Sequence, residues 1–502
     1  MYNTMKKSTR ITLYVVGILI GLVVLFLTCA DVWVSRYAEK RVRAELAKAE
    51  LPYTIDFKHI HVLILGHFVS VDGVLFEANK AALKAAGLDT LHVEIPRVSV
   101  SGISYLKLLR DKKVAIHGVD VHKLCAYTKV TKTKMTVKAD SVSVGVNDLF
   151  FCWADTTFGY NDSVYDLSVH RLQLNVPQSL IKIDAHDIET EDGGPIKLGK
   201  TRIWNSVGRR ELAPRKKEPS TWIDLNLHSV EISPMNLFRT DFAKGLHVNQ
   251  ITVVGDRFEA FRDARLQPTH PYPMPQTVLL KMKYPIQIDA IDAQLKTIDV
   301  GVLCTDKNLG TMQIKDIKAN VCDFSTKRGS VMKVDMNATA CDGKVTGQIK
   351  MHMDKASTFD VVIRGKGLQT NQLSTMTRPL AAIELNCAVD SLHLRYQATN
   401  ERADGNVLFA YHGLSGKVYA GDDIPFKIIS QNAGALEYFV NNLIPKSNPR
   451  KGLKEPLAYR VEYVRKDMQP VPLYMVMPVI LGAVQTFLPG FNVNKKVNKN
   501  DI

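Results

Sequence analysis

One eight-residue pattern returns along this chain and limits its fold more than any other feature: apolar, any, apolar, two polar, apolar, any, apolar. Strict copies are IDFKHIHV from Ile55, VEIPRVSV from Val93, VKADSVSV from Val137, LSVHRLQL from Leu167, LNLHSVEI from Leu225, LHVNQITV from Leu246 and MQIKDIKA from Met312. Looser copies are VAIHGVDV from Val114, IQIDAIDA from Ile286 and CAVDSLHL from Cys387. With 46% apolar residues, roughly two strict windows would arise by chance, so these copies mark a repeat. Strand side chains alternate between faces, so plain alternation would send the second apolar pair to the opposite side. A β-bulge at the central polar pair inserts one residue, returns all four apolar side chains to one face and bends the strand. Two-residue hairpin turns are the competing reading, but Asp-Ser, Lys-Asp and His-Arg suit poorly the positive φ of such turns.

A longer duplication supports the repeat. VSVSGISYLKLLRDKKVAIHGVDV from Val98 and VEISPMNLFRTDFAKGLHVNQITV from Val230 align without gaps, 132 residues apart. Strand, short helical crossing and strand come in the same order, which describes an array that grows by adding strands. Pro268, Pro271, Pro273 and Pro275 block helix and central strand alike. A boundary is expected at 268–285, between a first strand-rich segment, 53–267, and a second, 286–433. The charged loop GRRELAPRKKEPS from Gly208 reads as a solvated excursion. Residues 434–502 change character to apolar helical stretches, and Pro472, Pro478 and Pro489 interrupt the longest below spanning length. That tail is expected to dock as a cap, as an interfacial helix or on a partner.

The N-terminus sets the compartment. Ile11 to Ala30, ITLYVVGILIGLVVLFLTCA, is uncharged and long enough to cross about 30 Å of hydrocarbon as a helix. A cleavable signal peptide has a shorter apolar run, so an uncleaved single-pass anchor at 11–30 is expected, behind a cytoplasmic head at 1–10. Residues 31–52 read as a juxtamembrane helix ended by Pro52. Lys6, Lys7 and Arg10 precede the span, while Arg36, Lys40, Arg41 and Arg43 lie beyond it. Long domains translocate despite such charge, which places the body outside the cytoplasm. The net charge of +15 then suits anionic membrane surfaces, and nucleic acid is not an expected partner.

No catalytic signature holds. GPIKLGKT, from Gly194 to Thr201, satisfies the P-loop string, but a phosphate loop needs a buried strand before it and a helix after it. Acidic IETEDG precedes this string, and Gly208 and Pro214 interrupt the segment after Thr201, so a hairpin turning at Asp192-Gly193-Gly194 is expected. His59 and His61 read as solvent-facing strand residues. CxxC, HExxH and the G-x-S-x-G elbow are absent from the sequence, so no catalytic residue, metal site or cofactor is assigned. Apart from Cys29 in the apolar run, Cys125, Cys152, Cys304, Cys322, Cys341 and Cys387 sit among apolar neighbours at wide spacing, which suits free thiols somewhat better than a disulfide framework.

The uncleaved anchor, HVEIPRVSVSGISYLKLLRDKKVAIHGVDV, YPIQIDAIDAQLKTIDVGV after the Pro-rich loop, and the stretch from VVIRGKGLQTNQL to YHGLSGKV together resemble the AsmA-like family of Gram-negative envelope proteins. The resemblance covers most of the chain to about Val418. It implies a mostly β protein: one N-terminal transmembrane helix, then an elongated, repetitive, bulged antiparallel β-sheet curled into a groove, with short helices and a C-terminal helical tail. It also implies an inner-membrane anchor, a periplasmic body and a non-enzymatic part in phospholipid supply to the outer membrane, with phospholipids, the inner membrane and other envelope proteins as partners. The physics of the repeat leaves three covers for the apolar face: a second layer, another subunit or acyl chains. A closed sandwich core, serving a structural or assembly factor, is the alternative. In an open groove, acyl chains would lie on Ile55, Phe57, Val93, Ile95, Leu167, Val169, Leu225, Leu227, Leu246, Val248, Met312 and Ile314.

Overall fold

The structure is a computed structural model that describes residues 30–44, 46–47, 53–64, 66–104, 113–152, 158–159, 165–235, 245–419, 432–466 and 468–487. Apart from Ala30, the apolar run expected to span the membrane lies outside these residues. Among the described residues no helix is long and apolar enough to cross a membrane. Helix α1 covers residues 30–44.

The strands belong to one large mixed sheet, and the chain divides into two compact units. Unit 1 comprises Met1–Gln178, Asp184–Ile196 and Asn236–Arg239; unit 2 comprises Ser179–Ile183, Lys197–Met235 and Thr240–Ile502. In unit 1, β1 (Tyr53–Asp56) and β2 (His59–Leu63) share one edge of β3 (Phe68–Ala78). The helix α2 (Lys80–Ala86), capped by Asn79, leads to β4 (Leu88–Ser101), then β5 (Lys113–Val130) and β6 (Thr136–Cys152). The short β7 (Phe158–Gly159) and the longer β8 (Tyr165–Val176) both pair with β6. Every one of these pairs is antiparallel. The chain continues through β9 (Ile181–Thr190), β10 (Ile196–Leu198) and β11 (Thr201–Asn205).

In unit 2, helix α3 (Leu212–Lys216) precedes β12 (Thr221–Ile232) and β13 (Leu246–Asp263). After α4 (Pro275–Leu279) come β14 (Ile286–Leu303), β15 (Leu309–Ser325), β16 (Val331–Ala340), β17 (Gly343–His352) and β18 (Phe359–Gln369). Helix α5 (Ser374–Ala381) leads to β19 (Ile383–Ala398) and β20 (Arg402–Val418); α6 (Ala433–Asn442), β21 (Ala458–Val464) and α7 (Val471–Phe487) complete the unit. Neighbours from β11 to β21 pair in sequence order.

Several bulges fall on the central polar pairs of the repeat. In β12, Leu227 faces Gly255 and Ser229 faces Val254, which leaves His228 as the inserted residue. In β19, Val389 faces Tyr411 and Ser391 faces Ala410, so Asp390 is the extra one. Between β15 and β16 the register shifts from Lys315 to Lys318, where Asp316 takes a φ of 53°. β5 and β6 are each bulged, with Lys123 at 53° and Ser141 at 54°. β15 shows the result: Gln313, Lys315, Asp316 and Lys318 are exposed, while Met312, Ile314, Ile317 and Ala319 turn inward. In IDFKHIHV the irregularity is strong enough to end β1 at Asp56 and begin β2 at His59.

Two expectations are corrected. The sheet is not wholly antiparallel, because β13 and β14 run parallel. A parallel pair requires a crossover that returns along the strand, here about 60 Å for an 18-residue strand. The Pro-rich segment is that crossover: it carries the short helix α4, opened by Pro275, and the sheet continues across the expected boundary. The C-terminal tail is not all helical either, since β21 adds to β20. Pro478 also lies inside α7 without ending it. It forfeits one helix hydrogen bond, offset by the packing of Tyr474, Pro478, Gly482, Thr486 and Phe487, a buried stripe along one side of the helix.

Candidate functional site

Successive registers line up apolar side chains in rows perpendicular to the strands. In unit 1 one row is Ile60, Val71, Val98, Val121, Val144 and Leu167. Another is Ile55, Phe76, Val93, Ala126, Ala139 and Leu172. In unit 2 a row crosses eight strands: Ile232, Ile251, Ile291, Val321, Val334, Ile349, Val361 and Tyr396. A parallel row holds Leu225, Phe258, Ile298, Ile314 and Ala340. Leu227 and Leu295 meet over Gly255, where a Cβ would lie 2.4 Å from Leu295 Cδ1 and 3.1 Å from Leu227 Cδ2.

All twelve residues picked from sequence lie in or beside this pattern, six in each unit. Ile55, Val93 and Leu167 belong to the unit 1 rows; Ile95 faces Val74 and Val169 faces Val142. Phe57 sits in the break between β1 and β2 with the Arg43 guanidinium 4.3 Å above its ring. In unit 2, Leu225 and Ile314 lie in a row, Leu227 meets Leu295 over Gly255, Leu246 faces Ile286, Val248 faces Ile288, and Met312 faces Val300. Phe57, Val169 and Val248 are buried and the other nine are half-buried.

Cover over the rows is unequal. At the C-terminal end of unit 2 the face is closed by α7 and by Met274 from the crossover, which form one core with Val361, Leu394, Tyr396, Val407 and Tyr411. The Tyr396 hydroxyl donates to Met475 O at 2.8 Å and that of Tyr474 to Thr399 O at 2.9 Å. Burial drives both phenols up, clear of the ordinary tyrosine range. Helix α6, on β20, joins that closed end through Phe439 and Val440, and elsewhere α2 packs on β4, α3 on β12 and α5 on β15 and β19. The eight-strand row shows the gradient, half-buried from Ile232 to Ile349 and buried at Val361 and Tyr396. Tyr272 joins distant parts of unit 2. Its hydroxyl accepts from Arg262 Nη2 at 2.7 Å beside the end of β13, and its carbonyl accepts from Arg465 Nη2 at 2.6 Å just beyond β21. On a flat sheet those strands would be about 38 Å apart.

The opposite face is laced with ion pairs: Arg97–Asp72 at 2.8 Å, Arg171–Asp184 at 2.7 Å, Arg202–Asp224 at 2.7 Å and Arg257–Asp299 at 2.6 Å. Hydrogen bonds from Arg97 and Arg171 hold the carboxyls of Asp72 and Asp184 below the ordinary range. A cavity of about 490 Å³ in unit 2 is lined by Arg209, Arg257, Glu259, Asp299 and Cys341 and also by Val300 and Met312. Several of its charges pair with one another, with Arg209–Glu259 at 3.0 Å and Arg257–Glu259 at 3.1 Å. Burial pushes the Cys341 thiol up, the wrong direction for a nucleophile.

The P-loop string folds as strands around turns. Gly194 N donates to Glu191 O at 2.8 Å, β10 comes next, and Thr201 opens strand β11 where a phosphate loop would open a helix. His59 and His61 are exposed, and among the described residues no group of three His, Cys, Asp or Glu could hold a metal ion. Cys125, Cys304, Cys322, Cys341 and Cys387 are free thiols; Cys387 is buried and the other four half-buried.

Sequence reasoning missed Ile291, Val321, Val334 and Ile349, which complete the longest row. Ile291 falls in the looser copy from Ile286 and Val321 just beyond the strict copy from Met312, whereas Val334 and Ile349 sit in strands without a copy, where the signal lay in plain alternation. The capping residues Met274, Tyr474 and Phe487 come from distant segments and carried no local signal. Compared with known proteins, the chain matches no family model and no curated sequence.

Proposed function

We propose that this chain is an anchored lipid-binding protein whose apolar rows hold acyl chains of phospholipids. The observation that carries the reading is the uneven cover of one continuous row: half-buried across β12 to β17, sealed only from β18 onward. Apolar faces of this extent are rarely left to water. Each methylene laid against one gains about 0.8 kcal/mol when fully buried, so ten methylenes supply about 8 kcal/mol at full cover and about half that in a one-sided trough. The Tyr272 bridge supports a sheet curled into a groove. The uncharged run before Ala30 supports a single-pass inner-membrane anchor with the body in the periplasm, as the AsmA-like resemblance implies. An exposed apolar stripe on α7, Leu473, Val476, Ile480 and Val484, suits contact with another envelope protein.

A second reading draws on the C-terminal core, which is closed and well packed. If the remaining rows are sealed by further protein, the chain is a structural or assembly factor. Purification of the full chain and then lipid extraction and mass spectrometry separate the two. Stoichiometric phospholipid supports the carrier, and a lipid-free, monodisperse protein supports the assembly factor.

A further inference from the structure

Helix α1 does two things with two faces. Asp31, Ser35, Glu39 and Arg43 recur every fourth residue and line the face turned to the edge formed by β1 and β2. Val62 N donates to Ser35 Oγ at 2.8 Å and Ile64 N to Asp31 Oδ1 at 3.0 Å. Arg43 donates to Phe57 O at 2.6 Å and to Lys58 O at 3.2 Å, and pairs with Asp56 at 3.0 Å. The match is metrical: four helical residues advance about 6 Å and two strand residues about 6.7 Å. Side chains one turn apart therefore meet successive outward N–H groups of an edge strand, which are otherwise open to another chain.

The other face is exposed and of different chemistry. Val32, Trp33 and Tyr37 are 55%, 71% and 61% exposed, the two rings stack at 6.1 Å, and Arg36, Lys40 and Arg41 are exposed beside them. The first turn of α1 directly succeeds the twenty uncharged residues ending at Ala30. Because Asp31 meets Ile64, the exposed Leu63 at the β2–β3 tip lies level with that turn. Aromatic rings with basic side chains at the end of an apolar run match the headgroup layer of an anionic bilayer.

We infer that the outward face of α1 contacts an anionic membrane surface and, through its i, i+4 clamp, fixes the β1–β3 edge of unit 1 at the headgroup layer. The inference rests on the lipid-binding reading only for its purpose, which is to set the ends of the unit 1 rows where acyl chains leave the bilayer.

The test uses the full chain in vesicles of phosphatidylcholine and phosphatidylglycerol. Trp33 emission, taken as the difference between wild type and Trp33→Phe, should be quenched about twofold or more by lipids brominated near the headgroup, and less by lipids brominated at the chain ends. Arg36→Glu/Lys40→Glu should reduce that quenching. In Asp31→Ala/Ser35→Ala, amide exchange at Val62 and Ile64 should quicken about tenfold or more. Unquenched Trp33, or emission that depends on protein concentration because a second copy covers the face, overturns the membrane contact; unchanged exchange overturns the clamp. Quenching in a protein that extracts without phospholipid would sustain this inference while removing the lipid-binding reading.

Discussion

Ile291 and Val361 occupy the same row of unit 2, four strands apart, and the same substitution at each reads out what covers them. Val361 is 2% exposed inside the core closed by α7 and Met274. An aspartate there must be neutral or unsolvated. Neutralising a carboxyl of ordinary pKa near 3.9 at pH 7 costs about 4 kcal/mol, and the lost valine burial adds about 2 kcal/mol. Val361→Asp should therefore lose about 6 kcal/mol, comparable with the whole stability of many domains. Ile291 is half-buried, and in an open trough its replacement keeps contact with water once lipid leaves. Ile291→Asp should lose only the partial apolar burial, about 1–2 kcal/mol. The assay is urea unfolding of the purified chain at pH 7 and again near pH 4. The buried carboxyl has a folded pKa raised above its unfolded value, so its charge penalty is absent below about pH 4, grows as pH rises and is complete above the folded pKa. The Val361 variant should thus recover at low pH relative to wild type, and the Ile291 variant should change little. Equal, large losses at both positions would mean that the row is sealed throughout and would refute the open face.

The same geometry sets three further outcomes. Lys200→Ala, in the turn between β10 and β11, should change stability by no more than about 0.5 kcal/mol; nucleotide binding that is present in wild type and lost in this variant would revive the phosphate-loop reading. Arg171→Gln should lower the urea midpoint slightly at pH 7. Asp184 has its folded pKa depressed by Arg171, so that contribution is present above about pH 4 and lost as pH falls through the folded value; urea midpoints across pH 2–7 check it, and a variant equally destabilised at every pH would contradict it. Gly255→Val forces a branched side chain between Leu227 and Leu295 and should cost about 1–3 kcal/mol by overpacking; unaltered thermal unfolding would show that those leucines do not meet over the glycine.

Much of the fold is legible in the repeat because a bulge leaves a local mark. Two adjacent polar residues inside an alternating strand, as at His228-Ser229 or Lys315-Asp316, announce both the inserted residue and the face on each side of it. The departures from expectation at the β13–β14 junction and at Pro478 concern what periodicity does not encode. Direction of pairing is invisible in alternation, so the parallel β13–β14 junction shows only as a long Pro-rich segment that equally suits a boundary. Pro478 reads by its local cost as a break, whereas α7 is held by contacts to strands far away in sequence. The same limit applies to the site. Residues facing the rows are legible, but which of them are sealed depends on Met274, Tyr474 and Phe487, brought from other parts of the chain.

The central claim is that one face of the sheet is occupied by lipid where it is half-buried and by protein where it is sealed. A photo-crosslinking residue placed in turn at Leu227, Ile291 and Leu394 of the membrane-embedded full chain tests this most directly, with the adducts identified by mass. Phospholipid adducts at 227 and 291 and none at 394 are the expected result. Adducts to protein at 227 and 291, or the absence of phospholipid at both, would contradict it.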